Sequence, residues 1–216
     1  MQRIYLLSPA WCGGRRAQLL LSGRSEFDLA RRLRSPAGAS LGEIFTFLSG
    51  LYFRGKVAYA QAFSLPPPGL PGALVITPRL GLRPPEERVT LSLLRRLARV
   101  PIDPDEPRFR RPLMRDARRL AETAGPDCIF VLLGSIASGK YLDILSGALG
   151  GRLRFPAEFV GRGDMSRGGL MLRRAEEGSP LQYVPVDGAV RRGPRPAKLL
   201  PRGRRIDEGH PQEPSS

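Results

Sequence analysis

Asp127-Cys-Ile-Phe-Val-Leu-Leu-Gly-Ser-Ile-Ala-Ser-Gly-Lys140 decides the fold class. Its first half is a short, continuously apolar run, the pattern of a strand buried on both faces of a sheet. Its second half is a glycine- and serine-rich turn, and Tyr141-Leu-Asp-Ile-Leu145 after it has helical character. Strand, permissive turn and helix in that order define a parallel α/β unit. The same order occurs earlier. Ile4-Tyr-Leu-Leu7 is a strand-like run that enters Pro9-Ala-Trp-Cys-Gly-Gly-Arg-Arg16 and then the apolar Ala17-Gln-Leu-Leu-Leu21. Ala73-Leu-Val-Ile-Thr77 is a third run of this kind, left through the loop Pro78 to Pro85. The expected fold is α/β, with three layers: a mostly parallel central sheet between helices, and antiparallel edge strands near the C-terminus from Leu170–Arg173 and Leu181–Val186. One or two short strands are expected within Gly151–Val160.

Helices are expected where apolar residues recur near a period of 3.6. Leu41 to Phe63 is such a stretch, with a weak point at Gly50 or Gly55. Thr90 to Arg99 and Leu113 to Ala124 are others, with Pro101 to Pro112 read as an exposed connection. Ser25-Glu-Phe-Asp28 has the form of a capping box ahead of Leu29–Leu33. Residues 1–187 then make a single α/β domain. Residues 188–216, opening with arginine, glycine and proline, read as a basic, largely disordered tail, because such a composition buries too little apolar surface to offset its ordering entropy.

The chain carries 35 Lys plus Arg against 20 Asp plus Glu, a formal charge of +15. Lys occurs only at 56, 140 and 198. Arginine richness alongside 25 Gly and 22 Pro fits GC-rich coding, which explains the choice of base and not the excess of bases over acids. The excess points to a polyanionic partner, nucleic acid or a nucleotide. Two distant cysteines and a single histidine, His210, supply neither a disulfide framework nor a metal site, and they disfavour a Ser-His-Asp or Cys-His triad. No run approaches the roughly 18 apolar residues of a membrane span, and no secretory leader opens the chain, so a cytoplasmic protein without membrane or metal partners and without a cofactor is expected.

In an open α/β sheet, ligands collect outside the carboxyl ends of the strands. If the strands ending at Leu7, Thr77 and Leu133 are parallel, their loops bring an anion-binding set to one mouth: Gly13, Gly14, Arg15 and Arg16 from the first, Arg79 from the second, Ser135, Gly139 and Lys140 from the third. Gly134–Lys140 has the spacing of a P-loop, but Tyr141 stands where magnesium-binding Ser or Thr is needed, so an anion-binding or purely structural turn is the better reading. Gly161-Arg-Gly-Asp-Met-Ser-Arg-Gly-Gly169 reads as a second polar loop that adds Arg162, Ser166 and Arg167, with Asp164 as the candidate catalytic acid/base. Cys12 beside Arg15 and Arg16 is a candidate thiolate, weakened by the lack of a histidine base.

Three places, in order, resemble a superfamily that includes the YaaA-type peroxide-stress DNA-binding proteins and domains found with tRNA-modifying transglycosylases. They are the strand ending in Cys12-Gly-Gly-Arg-Arg16, the stretch Ile76-Thr-Pro-Arg-Leu-Gly-Leu-Arg-Pro-Pro-Glu86, and the pairing of Gly134 with Tyr141. The resemblance spans about a third of the chain. It implies an α/β fold distantly like uracil-DNA glycosylases and an interest in nucleic acid, and it supplies no catalytic residue. The leading expectation is a nucleic-acid-binding protein with a basic phosphate-binding crevice. The alternatives are an enzyme acting on a nucleotide or nucleic acid base, and a structural or interaction protein whose charge is incidental.

Overall fold

A computed structural model describes residues 1–137, 139–197 and 199. Six strands form the central sheet in the order β4-β3-β1-β6-β7-β8. They are β1 (Arg3–Leu7), β3 (Ala73–Thr77), β4 (Gly81–Arg83), β6 (Ile129–Leu133), β7 (Leu153–Pro156) and β8 (Tyr183–Pro185). Neighbours β3, β1, β6 and β7 run parallel, with β1 in register from Arg3 opposite Ile129 to Leu7 opposite Leu133. Both edge strands, β4 and β8, are antiparallel. A small separate ribbon pairs β2 (Ala39–Ser40) with β5 (Arg88–Val89).

Alternation along β1 and β6 builds two cores, because successive side chains leave a strand on opposite faces. Ile4, Leu6, Phe130 and Leu132 pack with Phe109, Leu113, Ala117 and Leu120 of α6 (Pro107–Thr123) and with Leu142 and Leu145 of α7 (Leu142–Leu149). Tyr5, Val131 and Leu133 face the other way, onto Tyr52, Tyr59 and Phe63 of α4 (Leu51–Phe63) and Leu170 and Met171 of α8 (Asp164–Glu177). Leu7 and Val75 extend this second face toward α1 (Arg15–Leu21), α2 (Asp28–Arg34), α3 (Leu41–Ser49) and α5 (Leu91–Ala98). The expected three-layer α/β architecture is therefore observed.

Several local expectations change. The long helix divides at Gly50, one of its two expected weak points, whose φ of 60° and ψ of −131° suit a residue without Cβ. Ser25 does not cap α2; its hydroxyl donates to Leu19 O, and Phe27 takes the cap position. The capping box lies instead at Ser40 and Glu43, ahead of α3. α6 starts at Pro107 and contains Pro112, so half of the expected Pro-rich connection is helix. β4 lies inside the segment read as a loop after Thr77. Leu170–Arg173, read as a strand, belongs to α8, and the polar loop from Gly161 becomes helical at Asp164. Of the C-terminal tail, residues 189–197 have no helix or strand, and Ala189 and Leu199 pack against the cores. Lys198, His210 and the rest of 200–216 lie outside the described residues.

Candidate functional site

The chain leaves β1 toward β3 on one side and leaves β6 toward β7 on the other, so the crevice between the carboxyl ends of β1 and β6 is a topological switch point. A cavity of about 860 Å³ opens there, within the roughly 300–1,000 Å³ of ligand sites. The first loop lines it from Ser8 to Arg16, the loop after β3 contributes Pro78, and the loop after β6 contributes Ser135, Lys140 and Tyr141. Asp164 adds a wall from α8, and Leu97, Ala98, Val100, Pro101 and Ile102 line it too.

The structure thus brings together Gly13, Gly14, Arg15, Arg16, Ser135, Lys140 and Asp164. It does not bring Arg79, Gly139, Arg162, Ser166 or Arg167 to the cavity wall. Arg79 is exposed beyond Pro78. Gly139 faces the Asp143 carboxylate, 3.2 Å from where a Cβ would stand. Arg162 donates to Glu158 O and Ser166 Oγ, at 3.0 and 3.2 Å, and so braces the entry to α8. Arg167 is buried, and its Nε and Nη2 both donate to Phe159 O. Its Nη1 lies 3.5 Å from Asp164 Oδ1, and the Asp164 side chain is 67% exposed.

Arg16 reaches across to the C-terminal end of α3, where Nη1 donates to Phe47 O at 3.4 Å; a helix C-terminus attracts positive charge. Trp11 is 75% exposed, yet its indole lies over the loop backbone, since a Cβ on Gly13 would come within 2.8 Å of Trp11 Cε2. The two glycines therefore seat an aromatic face at the cavity rim. α1 has seven residues and no side-chain cap, so the positive character of the mouth comes from Arg15, Arg16 and Lys140 more than from a helix dipole. Cys12 is buried with its thiol directed at Ala10 O, and burial pushes its pKa up to about 11. Cys12 is therefore a small buried residue of the loop.

Composition and motif give no signal of a buried cation that backs the site. Lys56 is fully buried on α4, and its Nζ donates to Ser8 O at 2.9 Å and to Ser8 Oγ at 2.7 Å. The ammonium position lies 3.9 Å from the centre of the Tyr52 ring, one helical turn back. Burial lowers its pKa to about 7; Arg167 pushes the same way and Asp164 opposes. The Tyr52 hydroxyl is buried without a partner in hydrogen-bonding geometry, and burial raises its pKa despite the nearby Arg167. Across the crevice, Tyr141 Oη donates to Ser135 O at 3.1 Å and abuts Ser8. Gly134 permits this, because a Cβ there would stand 2.8 Å from Ser8 Cβ and 2.9 Å from Tyr141 Oη.

Among the described residues no group of three or more His, Cys, Asp or Glu is placed to hold a metal ion, and no helix is long and apolar enough to cross a membrane. Comparison with protein-family models, with curated proteins and with solved structures finds no match.

Proposed function

We propose that the crevice binds a nucleotide unit of a nucleic acid strand, with Arg15, Arg16 and Lys140 around its phosphates and Trp11 against its base. One observation carries this reading: three exposed cations and an exposed indole share one cavity at the switch point of a parallel sheet. Arginine and lysine neutralise phosphate, and aromatic faces stack any base at about 1–3 kcal/mol each. The rest of the molecule supports it. On the opposite layer, α6 exposes Arg110, Arg111, Arg115, Arg118 and Arg119 along one groove, a stripe that suits sequence-independent phosphate contacts. We place the activity in the cytoplasm, where nucleic acid is met and where the free thiols of Cys12 and Cys128 stay reduced.

Fluorescence anisotropy of labelled single-stranded DNA and RNA, titrated with the full chain at several salt concentrations, tests this. Affinity should fall steeply with salt. Replacing Arg15 and Arg16 together by Ala should flatten the dependence by about 0.7 in log K per log salt for each lost phosphate contact. No binding at 50 mM salt, or a slope unchanged by the double substitution, removes the crevice from the account.

A further inference from the structure

We propose that Ser8 and Lys56 form a nucleophile–base dyad that cleaves a carboxylic ester whose leaving group carries a phosphate, the ester being held in the same crevice. The phosphate-bearing half of this proposal rests on the preceding reading; the dyad stands on its own geometry. Ser8 lies directly after β1 and lines the cavity, with 5% of its surface exposed. Behind it, out of contact with solvent, Lys56 Nζ is 2.7 Å from Ser8 Oγ, the separation a proton transfer requires. A second bond, to Ser8 O, orients the amine.

A lysine acts as a base only when neutral, and the surroundings favour that form. Four groups face Nζ besides Ser8: the Tyr52 and Phe53 rings from its own helix, and Arg167 and Asp164 from α8. Of the two charged groups, Asp164 favours the charged amine, and it is an exposed carboxylate already paired with Arg167; the ring faces favour the charged amine too, and burial outweighs them. Burial dominates and brings the amine to about pH 7. Arginine, the default base of this chain, is charged at every working pH and cannot serve here. Among the described residues, Lys56 is the basic side chain within hydrogen-bond reach of Ser8 Oγ.

The step balances without further reagents except water. As Ser8 Oγ bonds the ester carbonyl carbon, its proton passes to neutral Lys56 Nζ, and the carbonyl electron pair moves to oxygen. Collapse of this intermediate breaks the bond to the leaving alkoxide, which takes the proton from the Lys56 ammonium. Water then attacks the acyl-serine, giving a proton to Lys56 Nζ; as the acyl–Oγ bond breaks, the Lys56 ammonium returns that proton to Ser8 Oγ, and the carboxylic acid leaves.

The test uses phenylmethanesulfonyl fluoride on the full chain, read by intact mass and peptide mapping, with the 4-nitrophenolate burst from 4-nitrophenyl acetate as a second readout. One label per chain is expected on Ser8, at a rate rising with pH and half-maximal near pH 7, and none in Ser8→Ala. Lys56→Met, apolar and similar in length, and Lys56→Arg, which keeps a donor but no base, should each lose at least about 100-fold in labelling rate while retaining the native circular dichroism spectrum. Neither label nor burst from the folded protein at pH 8.5, or an undiminished rate in Lys56→Arg, overturns the dyad. Protection by a mononucleotide separates the two proposals: labelling that the nucleotide does not slow keeps the dyad and removes phosphate recognition, whereas nucleotide binding without labelling does the reverse.

Discussion

Gly55 of α4 and Gly168 of α8 lie against each other so closely that a Cβ on Gly55 would come within 2.7 Å of Gly168 O, and a Cβ on Gly168 within 2.7 Å of Leu51 O. Their contact sets the neighbourhood of the site: Lys56 follows Gly55, Arg167 precedes Gly168, and Tyr52 lies between them. Gly55→Ala or Gly168→Ala pushes the helices apart and is expected to destabilise the fold by about 1–3 kcal/mol, as overpacking of a close interface does. Urea unfolding followed by circular dichroism measures it. An unchanged midpoint in both variants contradicts the packing.

Stability against pH gives a second prediction. The Lys56 amine has a folded pKa near 7, well below its unfolded value of about 10.5. Between those values the unfolded chain binds the extra proton, so stability rises with pH from about 7 toward 10. Above pH 10 the raised pKa values of buried Tyr5, Tyr52 and Tyr59 reverse the trend, because the unfolded phenols ionise first. Lys56→Met removes the rise and keeps the fall. Thermal midpoints of both proteins from pH 6 to 11 check the pair of slopes.

At Gly50 the left-handed φ and the position of Arg16 Nη1, 2.9 Å from where a Cβ would be, combine. Gly50→Ala should cost about 1–2 kcal/mol from the backbone alone, and it displaces Arg16 from the end of α3. Both unfolding and oligonucleotide affinity are therefore expected to weaken, the latter more than in Gly23→Ala, a left-handed glycine packed against Arg95 and Leu91 on the α5 side.

The start of α3 offers an acid-side test. The Arg32 guanidinium and the Ser40 cap hold the Glu43 carboxyl down to about 2. A depressed carboxylate pKa stabilises the fold above the unfolded value of about 4.5, and the gain is lost as pH falls toward 2. Ser40→Ala should cost about 1 kcal/mol at neutral pH, and Glu43→Gln should converge with the parent protein near pH 2 in urea titrations.

What the sequence revealed, and what it hid, follows from the range of the interactions. Buried parallel strands are continuous apolar runs, so Arg3–Leu7, Ala73–Thr77 and Ile129–Leu133 could be read from local pattern, and with them the crevice that unites Arg15, Arg16, Ser135, Lys140 and Asp164. α8 was obscured because Gly168 and Gly169 disfavour helix locally, while the close approach to Gly55 requires at least the first of them. β4, three residues in a Pro-rich segment, exists through its pairing with β3. The Ser8–Lys56 contact joins residues 48 apart and has no local signature. Its one trace is compositional: a lysine inside an apolar helical pattern, in a chain that otherwise uses arginine almost throughout.

Trp11 is the sole tryptophan of the chain and stands at the cavity rim, so its emission reports directly on the crevice. Titrating the full chain with a short single-stranded oligonucleotide should quench or shift that emission saturably, with an affinity that falls with salt and weakens in Lys140→Ala. Emission unchanged at oligonucleotide concentrations that saturate binding by anisotropy would contradict the account, because the nucleic acid would then be held elsewhere than at the switch point.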